Sequence, residues 1–312
     1  MTTACAPGKI ILLGEHAVVY GRPALAVPVR QVRACAHVLP SKSGKPGWVR
    51  LEAADVGFSA WLHQAPADHP MAAVARAALE ALHPAPFPPI RLSVESTIPV
   101  ASGLGSSAAV SVAIARALND HFGGSLTTDE ISALAYSGET ILHGTPSGID
   151  NTVVAFDKPI FFIRGRPPEV LELRATFHFV IGDTGIPAPT AQAVGDVRRR
   201  WQSDPAPLEA LFDSIGEMAA QGRQAMIDGD SQRLGSCMDQ DHRLLVDLGV
   251  SSPELDRLVE SARAAGAIGA KMSGGGMGGN MVALAPPEGV EAVSQALQTA
   301  GAVGVIHTEV AP

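Results

Sequence analysis

Over residues 91–98 (RLSVESTI) apolar and polar side chains alternate, the two-residue period of a strand with one buried face. A Gly/Ser turn at 102–107 follows, and the Ala-rich run behind it reaches Gly123 and Gly124 without a breaker, which predicts a helix. Strands are predicted at 10–13 and within 31–64, the latter interrupted by a polar turn at 40–47. A helix is predicted over 71–82, where the prolines of PAPFPP stop it. Thr127, with Glu130 three positions on, is a capping box that opens another helix, whose apolar face is Ile131, Leu134, Ala135, Gly138 and Leu142. Glu139 lies beside that face and points inward or along its edge. The turn GTPSGID at 144–150 brings Asp150 out ahead of a strand-like run, 152–156.

Composition shifts near 165–168, which divides the chain into a domain of residues 1–167 and one of 168–312. The second part reads as a strand, a Gly/Pro-rich loop and a helix from Thr190, then helices at 207–228, 231–248 and 253–265, the last closed by Gly266. KMSGGGMGGNMVAL is a strand, a loop with five glycines, and a strand. A helix at 288–300 and a strand at 303–310 complete a β-α-β-like ending.

A chain of 312 residues is long enough for one large domain or two ordinary ones. Hydrophobic residues at 46% and charged residues at 17% describe a soluble globular protein, and with 4% aromatics its core must be built from Ala, Val, Leu and Ile. A net charge of −8 argues against a dedicated nucleic-acid surface. No apolar run has the length of a membrane span, and Lys9, Glu15 and His16 interrupt the first apolar stretch, unlike a secretory leader. Cys5, Cys35 and Cys237 are widely spaced and in no metal-ligand pattern, so they read as reduced thiols of a cytoplasmic protein.

A strand feeding a glycine turn that opens a helix aligns free N–H groups at the positive helix end, where a phosphate can settle. Gly103 and Gly105 allow close approach, and Ser106 and Ser107 add hydroxyls able to bond an oxygen or ligate Mg²⁺. GLGSSA also fits G-x-G-x-x-A, although that dinucleotide fingerprint belongs to an opening βαβ unit, and a Gly/Ser helix start without a ligand is a third reading. A Walker A loop is excluded, since no Gly-Lys-Ser/Thr follows at the required spacing. Taken singly, Lys9 also reads as a solvated strand end, His16 as a loop histidine, Glu139 as a surface glutamate and Asp150 as a turn aspartate bonding its own backbone. Together, two glycine loops, a lysine at a strand start and a Ser/Glu/Asp set converge on phosphoryl transfer. That reaction needs a phosphate cradle, hard oxygen ligands for Mg²⁺, a cation and a carboxylate for the acceptor hydroxyl.

APGKIILLGEHAVVYG, IPVASGLGSSAAVSVA, ETILHGTPSGIDN, GDTGIPAPT and KMSGGGMGGNMVAL occur in this order across nearly the whole chain. In these motifs the sequence resembles the GHMP kinase superfamily and, within it, the mevalonate kinase family. The resemblance implies an α+β fold of two domains, an N-terminal one with the cradle and a ferredoxin-like C-terminal one, with the active site in the cleft between them. It implies ATP and Mg²⁺ as cofactors, mevalonate as the phosphate acceptor, and a homodimer. Carried over by position, it makes Asp150 the catalytic carboxylate and Lys9 its cationic partner, with Ser107 and Glu139 as Mg²⁺ ligands. It assigns nucleotide contacts to Pro99, Ala101, Ser102, Gly103, Leu104, Gly105, Ser106, Ser107 and Ala108, and substrate contacts to Lys9, Glu15, His16, Asp150 and Thr184. The third motif of the family runs closer to T-G-A-G-x-G-G-C, so Ser273, Gly275 and Asn280 are departures, as is Thr145 where asparagine is frequent. Another small-molecule kinase of the superfamily, such as phosphomevalonate kinase, is the alternative. A non-catalytic binding protein of this fold would have damaged Lys, Ser, Glu or Asp positions, and all four are intact.

Overall fold

Two long strands run through the molecule, β1 (Thr2–Leu13) and β2 (Ala24–Pro40), which pair with each other. The computed structural model describes residues 1–312 other than 84, 100, 101, 145 and 189, together with all their side chains except that of His143. The chain forms two compact units, each assembled from three segments: Met1–Gly8, Val32–Val100 and Gly105–Asp157 in the first; Lys9–Gln31, Ala101–Leu104 and Lys158–Pro312 in the second.

In the first unit the later half of β2 pairs antiparallel with β5 (Ile90–Ser96), Ala34 standing opposite Ser96. β5 pairs in parallel with β3 (Val49–Ala53), which pairs antiparallel with β4 (Phe58–Trp61). The alternation expected in β5 is present: Ile90, Leu92 and Val94 are buried, while Arg91 and Glu95 face water. Helices α1 (Pro70–Leu82), α2 (Ser106–Phe122), α3 (Thr128–His143) and α4 (Ile149–Phe156) complete the unit. α2 packs against the other three. Its alanines, in place of larger side chains, let neighbouring helices approach closely. At the α3 contact the space is so tight that a Cβ on Gly138 would lie 2.8 Å from Val74 Cγ2 and 2.9 Å from Ser111 Oγ.

The second unit holds the sheet β11-β8-β10-β9, with β8 (Phe177–Asp183), β9 (Gly269–Ser273), β10 (Asn280–Ala285) and β11 (Gly304–Val310) all antiparallel. Numbered within the unit this order is 4-1-3-2, the ferredoxin-like arrangement. Helices α5 (Thr190–Ser203), α6 (Pro205–Asp228), α7 (Ser231–Asp247), α8 (Pro253–Ala264) and α9 (Val290–Thr299) accompany it. Val180, Met272, Met281 and Ala283 of the sheet share one core with Phe212, Leu245, Leu258 and Leu297 of the helices. The first half of β2 pairs with β6 (Ile160–Phe162), which pairs with the short β7 (Glu169–Val170). Among the described residues no helix is long and apolar enough to cross a membrane.

Three expectations are corrected. The run 152–156 is helical, not a strand: Gly148 takes a left-handed conformation (φ 96) as the cap of α4, and Thr152 Oγ1 donates to Gly148 O at 2.7 Å. Leu142 does not join the apolar face of α3 but stands 49% exposed, while Ile131, Ala135 and Gly138 are buried. The cysteines are not three reduced thiols. Cys5 on β1 and Cys35 on β2 form a disulfide, because their strands are neighbours and bring the two Cα atoms to 4.1 Å; only Cys237 is free, and it is buried. The cysteines therefore give no argument for a reducing compartment.

Candidate active site

The turn before α2 is built as the sequence requires. Gly103 (φ 80) and Gly105 (φ 74) both hold left-handed backbone, which a residue with a Cβ adopts at a cost. Gly105 is the N-cap of α2, so no side chain caps the helix, and its first turn contains no acidic residue. The first-turn N–H groups of Ser106, Ser107 and Ala108 thus have no intrahelical acceptor, at the positive end of a 17-residue helix. Pro99 precedes the turn; Ala101 lies outside the described residues, as does Thr145.

Ser107, Glu139 and Asp150 stand on three helices of the first unit that pack on one another. Ser107 and Ser111 are four apart on α2 and share a face; the Gly138–Ser111 approach therefore sets the later half of α3, with Glu139 only 2% exposed, against the beginning of α2. Asp150 is in the first turn of α4, half-buried. Its neighbour Asn151 anchors that turn by donating to Ser132 O (3.1 Å) and Ser132 Oγ (2.9 Å) on α3.

In the second unit the remaining expected residues are tied to the glycine loop 274–279 and to one another. The Lys9 side chain is buried on β1, and its N–H donates to Leu104 O at 2.9 Å. Asn280 Nδ2 donates to Ser102 O, so a residue that departs from the family motif holds the cradle segment. Thr184 is tied to the glycine loop: its N–H and Oγ1 both donate to Gly279 O, at 2.9 and 2.8 Å, and Gly279 N–H donates to Ile186 O. Gly276 (φ 82) cannot carry a side chain, since a Cβ would meet Val250 O at 1.9 Å. His16, strained at φ 59, donates from Nε2 to Gly275 O at 3.0 Å, which leaves Nδ1 as the acceptor nitrogen. Burial lowers the His16 pKa below the usual imidazole value, partly opposed by that bond.

Glu15 brings in two residues that sequence reasoning missed. Its Oε1 accepts from Lys271 Nζ, which also donates to Met272 O (2.7 Å) and lies 3.3 Å from Asp241 Oδ2; all three side chains are sealed from water. One buried cation cannot balance two buried carboxylates. Burial, opposed by Lys271 and reinforced by Glu15, pushes the Asp241 carboxyl up to about 8. The adjacent His242 is pushed down to about 4 by burial and by the charges of Arg263 and Lys271, and accepts from Met272 N–H at Nδ1 (3.3 Å). The raised Asp241 carboxyl keeps its proton near neutral pH and shares it in a hydrogen bond with the Glu15 carboxylate, so the pair and Lys271 form one buried network.

An open helix N-terminus with hard oxygen donors in the first unit, and a glycine-built loop in the second, are the parts a small-molecule kinase uses. The family models for the GHMP kinase N-terminal domain and the GHMP kinase C-terminal domain match residues 70–158 and 223–303. The mevalonate kinase of Thermococcus sibiricus is 36% identical over 323 residues, covering 97% of this chain and 94% of that one, and the mevalonate kinase of Pyrococcus horikoshii matches to the same extent. The crystal structure of L. major mevalonate kinase in complex with R-mevalonate superposes with a TM-score of 0.83 at 30% identity, covering 100% of this chain and 96% of that one. The chain belongs to the GHMP kinases and, within them, to the mevalonate kinase family.

Proposed function

We propose that this enzyme transfers the γ-phosphoryl group of ATP to the 5-hydroxyl of (R)-mevalonate, giving 5-phosphomevalonate and ADP. The observation that carries the reading is the uncapped N-terminus of α2, entered through two left-handed glycines, on a helix packed against those bearing Glu139 and Asp150. Its N–H groups stabilise the triphosphate oxygens where charge grows during transfer. The acceptor oxygen forms a bond to the γ-phosphorus as the bond to the β-phosphate oxygen breaks. Asp150 orients the hydroxyl and takes its proton late in the step; Lys9 supplies positive charge to the transferring group. Glu15, His16 and Thr184 take substrate polar groups.

The hydroxyl of Ser107 and the carboxylate of Glu139 are hard donors of the kind Mg²⁺ selects, and they would hold it. Bound there, the ion would neutralise phosphate charge. We also propose a homodimer, which light scattering behind a sizing column checks. The test of the reaction is ADP release with mevalonate, phosphomevalonate, homoserine and galactose side by side. Mevalonate is expected to give the highest kcat/KM, and a preference for phosphomevalonate would transfer the assignment to the alternative kinase.

A further inference from the structure

The sheet of the second unit carries, at the end away from Thr184, a cluster that phosphoryl transfer does not use. β8 and β11 pair so that Glu309 faces His178 and His307 faces Val180; with the two-residue period of a strand, all three polar side chains stand on one face. His178 Nδ1 is 3.3 Å from His307 Nε2 and 3.5 Å from Glu309 Oε1, and His307 Nε2 is 4.0 Å from the same oxygen. A hydrogen bond between two rings explains the first distance alone. It does not explain why a carboxylate oxygen completes a triangle with both ring nitrogens.

That triangle has a definite size. The point equidistant from its three corners lies about 2.1 Å from each, and Zn²⁺ holds imidazole nitrogen and carboxylate oxygen at roughly 2.0–2.2 Å. We infer that His178, His307 and Glu309 form a binding site for a divalent first-row transition ion, with Zn²⁺ as its probe. Two imidazoles and one carboxylate favour Zn²⁺, Ni²⁺ or Cu²⁺ over Mg²⁺, which prefers oxygen alone. The residue beside His178 on β10 is Ala285, whose methyl side chain adds little bulk on that side of the cluster. On the outer side His307 and Glu309 reach solvent, so water can supply a fourth ligand. Thr184 lies six positions along the chain from His178, about 20 Å at the rise of an extended strand. The ion would therefore act on the fold, fastening the last strand of the chain to the middle of its sheet.

Metal-stripped full-length protein is titrated with Zn²⁺ by calorimetry, with excess Mg²⁺ throughout to fill sites that prefer hard ligands. Wild type is expected to take up one Zn²⁺ per chain, and His307→Ala and Glu309→Gln to bind at least about tenfold more weakly. Glu309 is largely exposed, so the glutamine variant keeps its fold and tests the site if the alanine variant does not. At a fixed Zn²⁺ concentration the Tm of wild type should rise more than that of Glu309→Gln, while ADP release without Zn²⁺ is the same in both. Equal uptake by wild type and Glu309→Gln, or no saturable uptake by wild type, overturns the site.

Discussion

The proton on Asp241 follows from burying two carboxylates, Glu15 and Asp241, with one lysine, and it makes stability depend on pH in a defined direction. The folded pKa of about 8 stands above the unfolded value of about 3.9, so the contribution is fully present below the unfolded value and is lost as pH rises through the folded one. His242, pushed down to about 4, acts oppositely: its contribution is present above about 6.5 and is lost as pH falls toward 4. Asp241→Asn keeps the shape without the titration, so melting between pH 6 and 9 should show a smaller decline in Tm than wild type. Asp150 is tested by the same isosteric change. Asp150→Asn should lower kcat by about 10²–10⁴-fold with far less change in ATP or mevalonate affinity, and a kcat within a few-fold of wild type would make it a turn residue only. Lys9, Glu15, His16, Ser107, Glu139 and Asp150 were nameable as candidates only through motifs that resemble a known family, since Lys9, His16, Glu139 and Asp150, taken singly, also read as ordinary structural residues. Asp241 and Lys271 had a fainter mark. Asp241 occupies the stripe of Leu234, Met238 and Leu245 on α7, and Lys271 interrupts an apolar strand; a charge at a core position signals a buried partner elsewhere, without saying which.

Glycines separate two kinds of constraint at the level of turns and loops. A Cβ on Gly103 would touch nothing within 4 Å, so Gly103→Ala strains only its left-handed backbone, by roughly 1–2 kcal/mol, and should still fold. Its ATP affinity should fall, as read by nucleotide titration beside a near-native circular dichroism spectrum. Gly276→Ala places a Cβ on Val250 O and should fail as a fold, read as a large loss of Tm or of soluble protein. Unchanged ATP affinity in the first variant would move the phosphates away from α2. Most elements were legible because their ends are marked: the Thr127–Glu130 capping box is present in full, and Gly123 closes α2. The segment 152–156 was not, since a five-residue apolar run has no readable period and the cap that makes it helical is one glycine.

At the scale of the whole chain, pairing between distant strands carries information that no single strand displays. The disulfide depends on the register of β1 against β2, which neither pattern contains, so 30 residues of separation read as unrelated thiols. Thiol titration of the denatured protein should find one free group without reductant and three with it. The native protein should react slowly even at Cys237, whose thiol burial pushes above its usual pKa. Lys9–Gln31 belongs to the second unit, bonded there through Glu15, His16 and Ile11 to Lys271, Gly275 and Ser273. On the ribosome, Glu15 emerges some 250 residues before the lysine that neutralises it, a delay of roughly 15–50 s at typical elongation rates. Through that interval the nascent chain has no partner for the Glu15 carboxylate, so this part of the second unit closes only after Lys271 has emerged.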